Sequence, residues 1–589
     1  MFYIRGRLNT CVDLDPKTDL GQRAIRVMKY YAKGERDDFR DLTDEELEQV
    51  EEFWKPYEFI YKVDPMVHRF YANTTGTFDP RFIPEDLQKY ILSRYFMDQD
   101  YIEAFKDKNY TEVLLPDIKH PKTLVHKING FFRDGDFNPI TLEEAVELVF
   151  QYKRDHAEDR AAAIVKPTVG TSTGLGIEII IKTTTKNEIR ALLNTKRDNL
   201  MVQEVIVQHD DLAQIHPSSV NSIRVMSLFE NDEFKVVSAC LRVGRGGSFV
   251  DNWGAGGISC GIDQNGVCHG PFYTKAGVAV ETHPDGFNPE GFAIPGYDNM
   301  IKTLKKCQNR VPQLRLISWD VSIDREGEPV FIEWNMKGDS QFHQLTHGPL
   351  YGDDTKRILD GFFAQAYKPF KEDDVYYNEF IDHIEVCGCD ERVTKIEIPS
   401  HIDGKPVTVV KARSFFSDDV IEKVLLPNSI EVIEYQAFAN CVNLETINVP
   451  NNLKIIEENA FAYCKSIEEL EPAKSVTYVG ARAFAHCAKL AKLEFSDELA
   501  FIGCKAFIGC HGLKEFNSGK ALVRIEDRAF QNCENLESVN IMAKEIKIYS
   551  RAFAGCKSFD ATSLEKQCKF TGINCFKDTK NRGQVENKK

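Results

Sequence analysis

The chain has 589 residues, a mass of 67.1 kDa and a net charge of −16, from 74 basic and 90 acidic side chains. Its 42% hydrophobic and 28% charged residues are those of an ordinary globular protein rather than a disordered or collagenous one, with room for two to four cores at roughly 150 residues each. No run approaches the roughly 18–20 consecutive apolar residues of a membrane span, the start MFYIRGRLNTCVDLD lacks the apolar stretch of a secretory signal, and the acidic balance argues against nucleic acid as the main partner; the expected compartment is the cytoplasm.

In chain order, residues 1–105 read as a mostly helical region, because charged and aromatic residues recur at helical spacing. The run Asp44–Phe53 follows Thr43, a good N-cap residue. From about 160 to 335 the pattern turns to short β-rich stretches separated by glycine-rich turns. The strand Ala163-Ile-Val-Lys166-Pro167 leads into a loop containing Gly170, Ser172, Thr173 and Gly174. Small residues let backbone N–H groups turn toward an anion, so a lysine-ended strand followed by such a loop forms a reasonable phosphate cover. A plain hairpin turn would look the same.

Further along, Asp320 lies in Ser318-Trp-Asp-Val321, and Glu333 and Asn335 lie in Phe331-Ile-Glu-Trp-Asn335. Residues two apart share a face of a strand, so Glu333 and Asn335 can point at one site, and Asp320 from a neighbouring strand would complete three oxygen donors suited to Mg²⁺. A solvated hairpin face is the alternative reading.

The last third is a repeat. Phe415, Phe438, Phe461, Phe484, Phe507, Phe530, Phe553 and Phe576 stand 23 residues apart, and Cys441, Cys464, Cys487, Cys510, Cys533 and Cys556 follow six of them by three. A short alternating stretch such as Glu445–Val449 suits a strand with one buried face, and one unit alone could not bury that face, so the units must stack. The ladder accounts for six of the 16 cysteines as small buried side chains. Cys387-Gly-Cys389 is the only close pair and, without a second pair, is weak as a metal or redox motif. Residues 381–589 hold 30 acids and 28 bases, which leaves −14 on residues 1–380.

Two resemblances follow. The 23-residue unit resembles the BspA-like class of leucine-rich repeats over residues 381–580. Lys166, the loop after it and the Asp-x(12)-Glu-x-Asn series occur in the order that resembles the ATP-grasp superfamily, and the closest subgroup looks like the sugar-transfer-associated ATP-grasp proteins, which are related to glutamate ligases. The fold class expected is therefore α+β and multidomain: 1–105 mostly helical, 106–368 an ATP-grasp domain, 369–380 a linker, 381–580 the solenoid, and 581–589 a polar tail.

The resemblance also implies site residues. Gln203, Glu204 and Ile206 lie in the stretch similar to the strand and hinge that contact adenine, and Asp211 (or Asp210) would meet the ribose. Arg224 and Arg242 resemble the paired-strand arginines that face phosphate and activated carboxylate. Asn252, in the glycine-rich loop that follows them, completes the catalytic set. Lys108 is the candidate for a second phosphate contact, with Lys127 its rival. Mg²⁺ would sit on Asp320, Glu333 and Asn335. The activity implied is ATP-dependent carboxylate–amine ligation through an acyl phosphate, with the solenoid recognising a peptide or protein. The alternatives are amidation of a sugar acid in surface-polysaccharide synthesis and a nucleotide-binding scaffold without turnover.

Overall fold

The structure, a computed structural model, describes residues 2–4, 10–12, 18, 22, 39–97, 101–102, 105–156, 161–169, 176–336, 340–470 and 473–580. The chain divides into two compact units, Val12–Phe362 and a second made of Phe2–Cys11 with Phe363–Lys589.

The first unit carries two antiparallel sheets. The smaller orders its strands Phe131–Asp134, Thr123–Ile128, Leu200–Glu204, Ala163–Pro167 and Glu178–Ile180. Helices Leu142–Asp155 and Lys186–Leu193 cover one of its faces. Both begin with a capping box, Thr141 with Glu144 and Thr185 with Glu188, which satisfies otherwise orphaned N–H groups at each helix start. Alternation along the strands sends Ala163, Val165, Leu200 and Val202 into the core under these helices, which puts Lys166, Met201 and Gln203 on the opposite face.

The larger sheet has seven strands, with Glu233–Val243, Ser222–Glu230, Leu316–Ile323 and Pro329–Asn335 adjacent in that order. Helix Tyr297–Arg310 is fastened near it by Gln308, whose amide donates to the carbonyls of Leu314 and Arg315 and accepts from Ser227 Oγ. Residues 39–96 contain the helices Asp44–Trp54 and Met66–Thr75 and a continuous helical stretch from Leu87 through Phe96. Thr43 does cap the first of these, with Glu46 closing its capping box.

The second unit is the solenoid. The Phe ladder forms as spaced in sequence, with successive rings from Phe415 to Phe576 stacked at centroid distances of 4.9–5.8 Å and within 21° of parallel. Each ladder thiol from Cys441 to Cys556 donates to the carbonyl of a ladder Phe 26 residues earlier, so the cysteines close the rungs from inside. The long parallel sheet is not built on the stretch around Glu445–Val449. It uses the following segments, Val432–Ile433, Ile455–Ile456, Tyr478–Val479, Phe501–Ile502 and Arg524–Ile525, while Thr446–Ile447 belongs to a separate three-stranded sheet. A unit of 23 residues is long enough for two strand columns, and the second includes Thr446–Ile447 and Lys492–Glu494, with parallel bridges Glu469–Lys492 and Ala473–Phe495 between them.

Two expectations are corrected. Residues 369–380 are not a linker: Ala366–Glu372 and Val375–Glu379 form an antiparallel hairpin that starts the long sheet, because Val375 and Tyr377 alternate into the solenoid core. Nor is the N-terminus helical throughout, since Phe2–Ile4 pairs with Ala366–Glu372 and covers what would be an open edge. The expected tail, 581–589, lies outside the described residues.

Candidate functional site

Strand pairing in the larger sheet sets Arg224, Asp320 and Glu333 opposite one another on three adjacent strands, with Arg242 one strand further. Asp320 is 2% exposed. Its carboxylate accepts from Arg224 Nε and Nη2, both at 2.5 Å, and from Arg242 Nη1 at 2.9 Å. Asn335 Nδ2 approaches it at 3.3 Å. Burial would raise the pKa of this carboxyl, but the two guanidiniums beside it hold it down to about 2. Arg224 also lies over the Phe342 ring, 5.4 Å from its centroid.

Glu333 takes a different cation, accepting from Lys108 Nζ at 2.7 Å. The backbone N–H of Lys108 donates to the Thr168 carbonyl just past the Lys166 strand, and Asn109 Nδ2 donates to Thr168 Oγ1. Those bonds bring Lys108, Lys166 and Glu333 into one electrostatic group. Lys166 sits at about 8, first because burial penalises its charge and then because Lys108 repels it, with Glu333 and Glu112 acting in the opposite sense. Lys127, the rival of Lys108, is elsewhere. It points under the small sheet, donates to the carbonyls of Leu193 and Thr195 at the end of helix Lys186–Leu193, and serves as a helix C-terminal cation.

Other expected residues divide. Gln203 is on the Lys166 face, but its amide donates to Thr123 Oγ1 and the Pro121 carbonyl while its Oε1 is buried without a partner among the described residues. Glu204 is turned away: alternation sends its carboxylate to the helix face, where it accepts from Lys122 N–H and Tyr152 OH. Ile206 is half-buried just past the strand end, and Asp211 is exposed in the short turn Asp210–Ala213. Asn252 uses its side-chain oxygen to cap the turn Trp253–Ala255 through Gly254 N–H. Gly170, Ser172, Thr173 and Gly174 lie outside the described residues.

Sequence reasoning passed over Asp251, next to Asn252. Its carboxylate accepts from the Ser222 N–H and hydroxyl and lies 3.6 Å from Arg242, and burial pushes its pKa up, partly offset by that arginine. It was illegible because nothing in the sequence separates it from the loop around it. The site thus alternates cations and anions: buried Arg224 and Arg242 with buried Asp320 and half-buried Asp251, and half-buried Lys108 and Lys166 with Glu333. As a metal-binding set, Asp320, Glu333 and Asn335 fit a hard divalent cation in donor chemistry: all three offer oxygen, they lie on paired strands, and Asp320 stays ionised above about pH 2. A bound cation would compete with the arginines and lysine that hold those oxygens now.

Residues 89–358 match the family described as sugar-transfer associated ATP-grasp, and residues 387–514 and 482–586 match the BspA type leucine rich repeat region, in six copies. No curated protein matches the chain. Among solved structures, a leucine-rich repeat protein of T. pallidum is similar at 24% identity over 35% of this chain and 100% of its own, with a TM-score of 0.32. D-cycloserine synthetase DcsG is similar at 12% identity over 45% of this chain and 73% of its own, with a TM-score of 0.27. The ATP-grasp ligase PsnB, in complex with a minimal precursor, Mg and ADP, is similar at 16% identity over 45% of this chain and 60% of its own, with a TM-score of 0.25. Among the described residues no helix is long and apolar enough to cross a membrane.

Proposed function

We propose, starting from a chain that joins an ATP-grasp region to BspA-type leucine-rich repeats, that this protein is an ATP-dependent carboxylate–amine ligase. A substrate carboxylate oxygen attacks the γ-phosphorus of ATP, the bond to the β,γ-bridging oxygen breaks, and ADP leaves an acyl phosphate. An amine then attacks the acyl carbon, loses a proton, and expels inorganic phosphate as the amide forms.

The observation that carries this reading is the pair of buried arginines, Arg224 and Arg242, converging on Asp320 beside the Lys108–Glu333 pair. Phosphoryl transfer needs fixed positive charge around oxygens whose charge shifts as bonds break, and buried guanidiniums supply it without reorganising. In this account Lys166 and Lys108 hold the phosphates, while Arg224 and Arg242 orient the carboxylate and offset charge on the acyl phosphate. Mg²⁺, if held by Asp320, Glu333 and Asn335, would neutralise the β- and γ-phosphate oxygens. No side-chain nucleophile is needed, since positioning supplies much of the acceleration.

The experiment is Glu333→Gln, which removes one charge at nearly constant shape. It should abolish ATP turnover and weaken Mg–ATP binding while leaving the fold intact; wild-type turnover would sink the assignment. Amidation of a sugar acid is the second reading, favoured by the sugar-transfer association of the matched family. The solenoid is assigned the recognition of a peptide substrate, because a stacked sheet offers an extended surface.

A further inference from the structure

The solenoid's charges are nearly balanced over its length, but they are not evenly placed. Four successive rungs, residues 478–482, 501–505, 524–528 and 547–551, carry six basic residues and two acidic ones. Their first outward positions form a row. Tyr478 and Phe501 stack with centroids 5.0 Å apart and planes 2° from parallel, and Arg524 lies over the Phe501 ring at 5.7 Å and over Tyr549 at 4.6 Å. Gly480 and Gly503, two residues on, are buried, and a Cβ at either would meet the backbone of the preceding rung at 2.5 Å.

At the rim, two residues past these positions, stands a second row. Arg482, Lys505, Arg528 and Arg551 hold φ of +54°, +58°, +57° and +56°. The left-handed region disfavours long side chains, and the equivalent position is held by Asn at 459 and 574, Gln at 436 and Arg at 413. The repeat tolerates long side chains at this position, and only rungs 482 to 551 fill it with four consecutive cations. Arg482 lies 3.7 Å from Glu458, and no ion pair of the other three is present among the described residues. Rungs are about 4.8 Å apart, so the four cations span roughly 14 Å, the reach of an extended segment of about five residues.

We propose that this strip docks a short, extended, acidic peptide segment carrying an aromatic or aliphatic side chain, and that the segment belongs to the ligase's peptide substrate. The rim cations would meet Asp or Glu carboxylates and the Tyr478–Phe501 platform the apolar side chain. A nucleic acid strand is the less suitable polyanion, because Glu457 and Glu458 stand on the next rung and would repel a charged backbone continuing along the axis. The proposal rests on the peptide-ligase reading only for what the bound peptide is used for.

The test uses the full chain. Fluorescence anisotropy of a fluorescein-labelled twelve-residue peptide alternating Glu with Phe is measured at low salt. Comparison probes replace every Glu with Gln, or consist of twelve-nucleotide oligothymidylate. Saturable binding of the Glu peptide is expected, weakened at least tenfold by Lys505→Glu with Arg528→Glu, weakened at least threefold by Phe501→Ala, and lost with the Gln peptide. Lys505→Gln with Arg528→Gln, a milder change, should give an intermediate loss if the first pair disturbs folding. Tighter binding of oligothymidylate, equal binding of the Gln peptide, or indifference to the rim substitutions would overturn the proposal. Calorimetric ATP binding to the same samples separates the two readings: peptide bound without ATP contradicts the ligase, and ATP bound without peptide contradicts the docking strip.

Discussion

Asp320→Asn is the most informative single change, because it keeps shape and removes the anion on which two buried guanidiniums rest. With Arg224 at 2.5 Å and Arg242 at 2.9 Å, loss of the charge removes the carboxylate that bridges both cations in a site that is 2% exposed at Asp320, leaving Asp251 as the remaining anion 3.6 Å from Arg242. Breaking a buried pair from one side typically costs about 3–5 kcal/mol. The pH dependence gives an independent handle. The folded carboxyl titrates at about 2, below the ordinary value of roughly 3.9, so its ionised form contributes stability above that ordinary value. That contribution, about 2 kcal/mol, is lost as pH falls toward 2. Urea unfolding followed by tryptophan fluorescence reports the right unit, since Trp54, Trp253, Trp319 and Trp334 are the chain's four tryptophans and all precede residue 362. The variant should unfold at lower urea by the equivalent of about 3–5 kcal/mol and lose part of the parent's stability change between pH 4 and 2. A shift below about 1 kcal/mol would mean that the guanidiniums find another anion, such as Asp251, and that Asp320 does not organise the site.

Lys166 sits at about 8, so raising the pH from 7 to 9 discharges it in the free protein. ATP affinity measured calorimetrically should fall about tenfold across that window, and Lys166→Arg, charged throughout, should flatten the profile. Lys108→Met should weaken ATP binding, whereas Lys127→Met should lower thermal stability with ATP affinity nearly unchanged, since Lys127 serves a helix end. Phe484→Ala, in the middle of the ring ladder and 1% exposed, should destabilise the solenoid by about 3–5 kcal/mol as read by circular dichroism, without moving the tryptophan transition. A protein ending at Phe362 and beginning at Val12 should fold and bind ATP, because those residues form one compact unit; an insoluble product would show that the second unit is an obligatory support.

What the sequence disclosed depended on periodicity and order. The Phe and Cys ladders were legible because a solenoid repeats its geometry, so a fixed spacing in sequence becomes a fixed contact in space. Asp320, Glu333 and Asn335 were legible because two strands and a short turn separate them. The strand expected at Glu445–Val449 forms as Thr446–Ile447, but the long sheet's own column was missed because two-residue strands such as Val432–Ile433 leave almost no alternation to read. The hairpin at 366–379 hid behind charged residues at its exposed positions. Glu204 and Gln203 are neighbours in sequence and were grouped together, yet a strand sends adjacent side chains to opposite faces, and only Gln203 shares the face of Lys166. Lys108 and Lys127 could not be separated at all, because their difference is made by long-range partners, Glu333 for one and the end of a helix for the other.

The central claim is ATP-driven joining of a carboxylate to an amine, and the most direct test incubates the full chain with Mg–ATP and a pool of carboxylates and amines, including acidic peptides. Nucleotide analysis and mass spectrometry then follow the products. The account expects ADP and inorganic phosphate to accumulate in step with a new species equal to one carboxylate plus one amine less one water, and expects both to vanish in Glu333→Gln. Accumulation of AMP and pyrophosphate, or ATP consumption that the variant does not reduce, would contradict it.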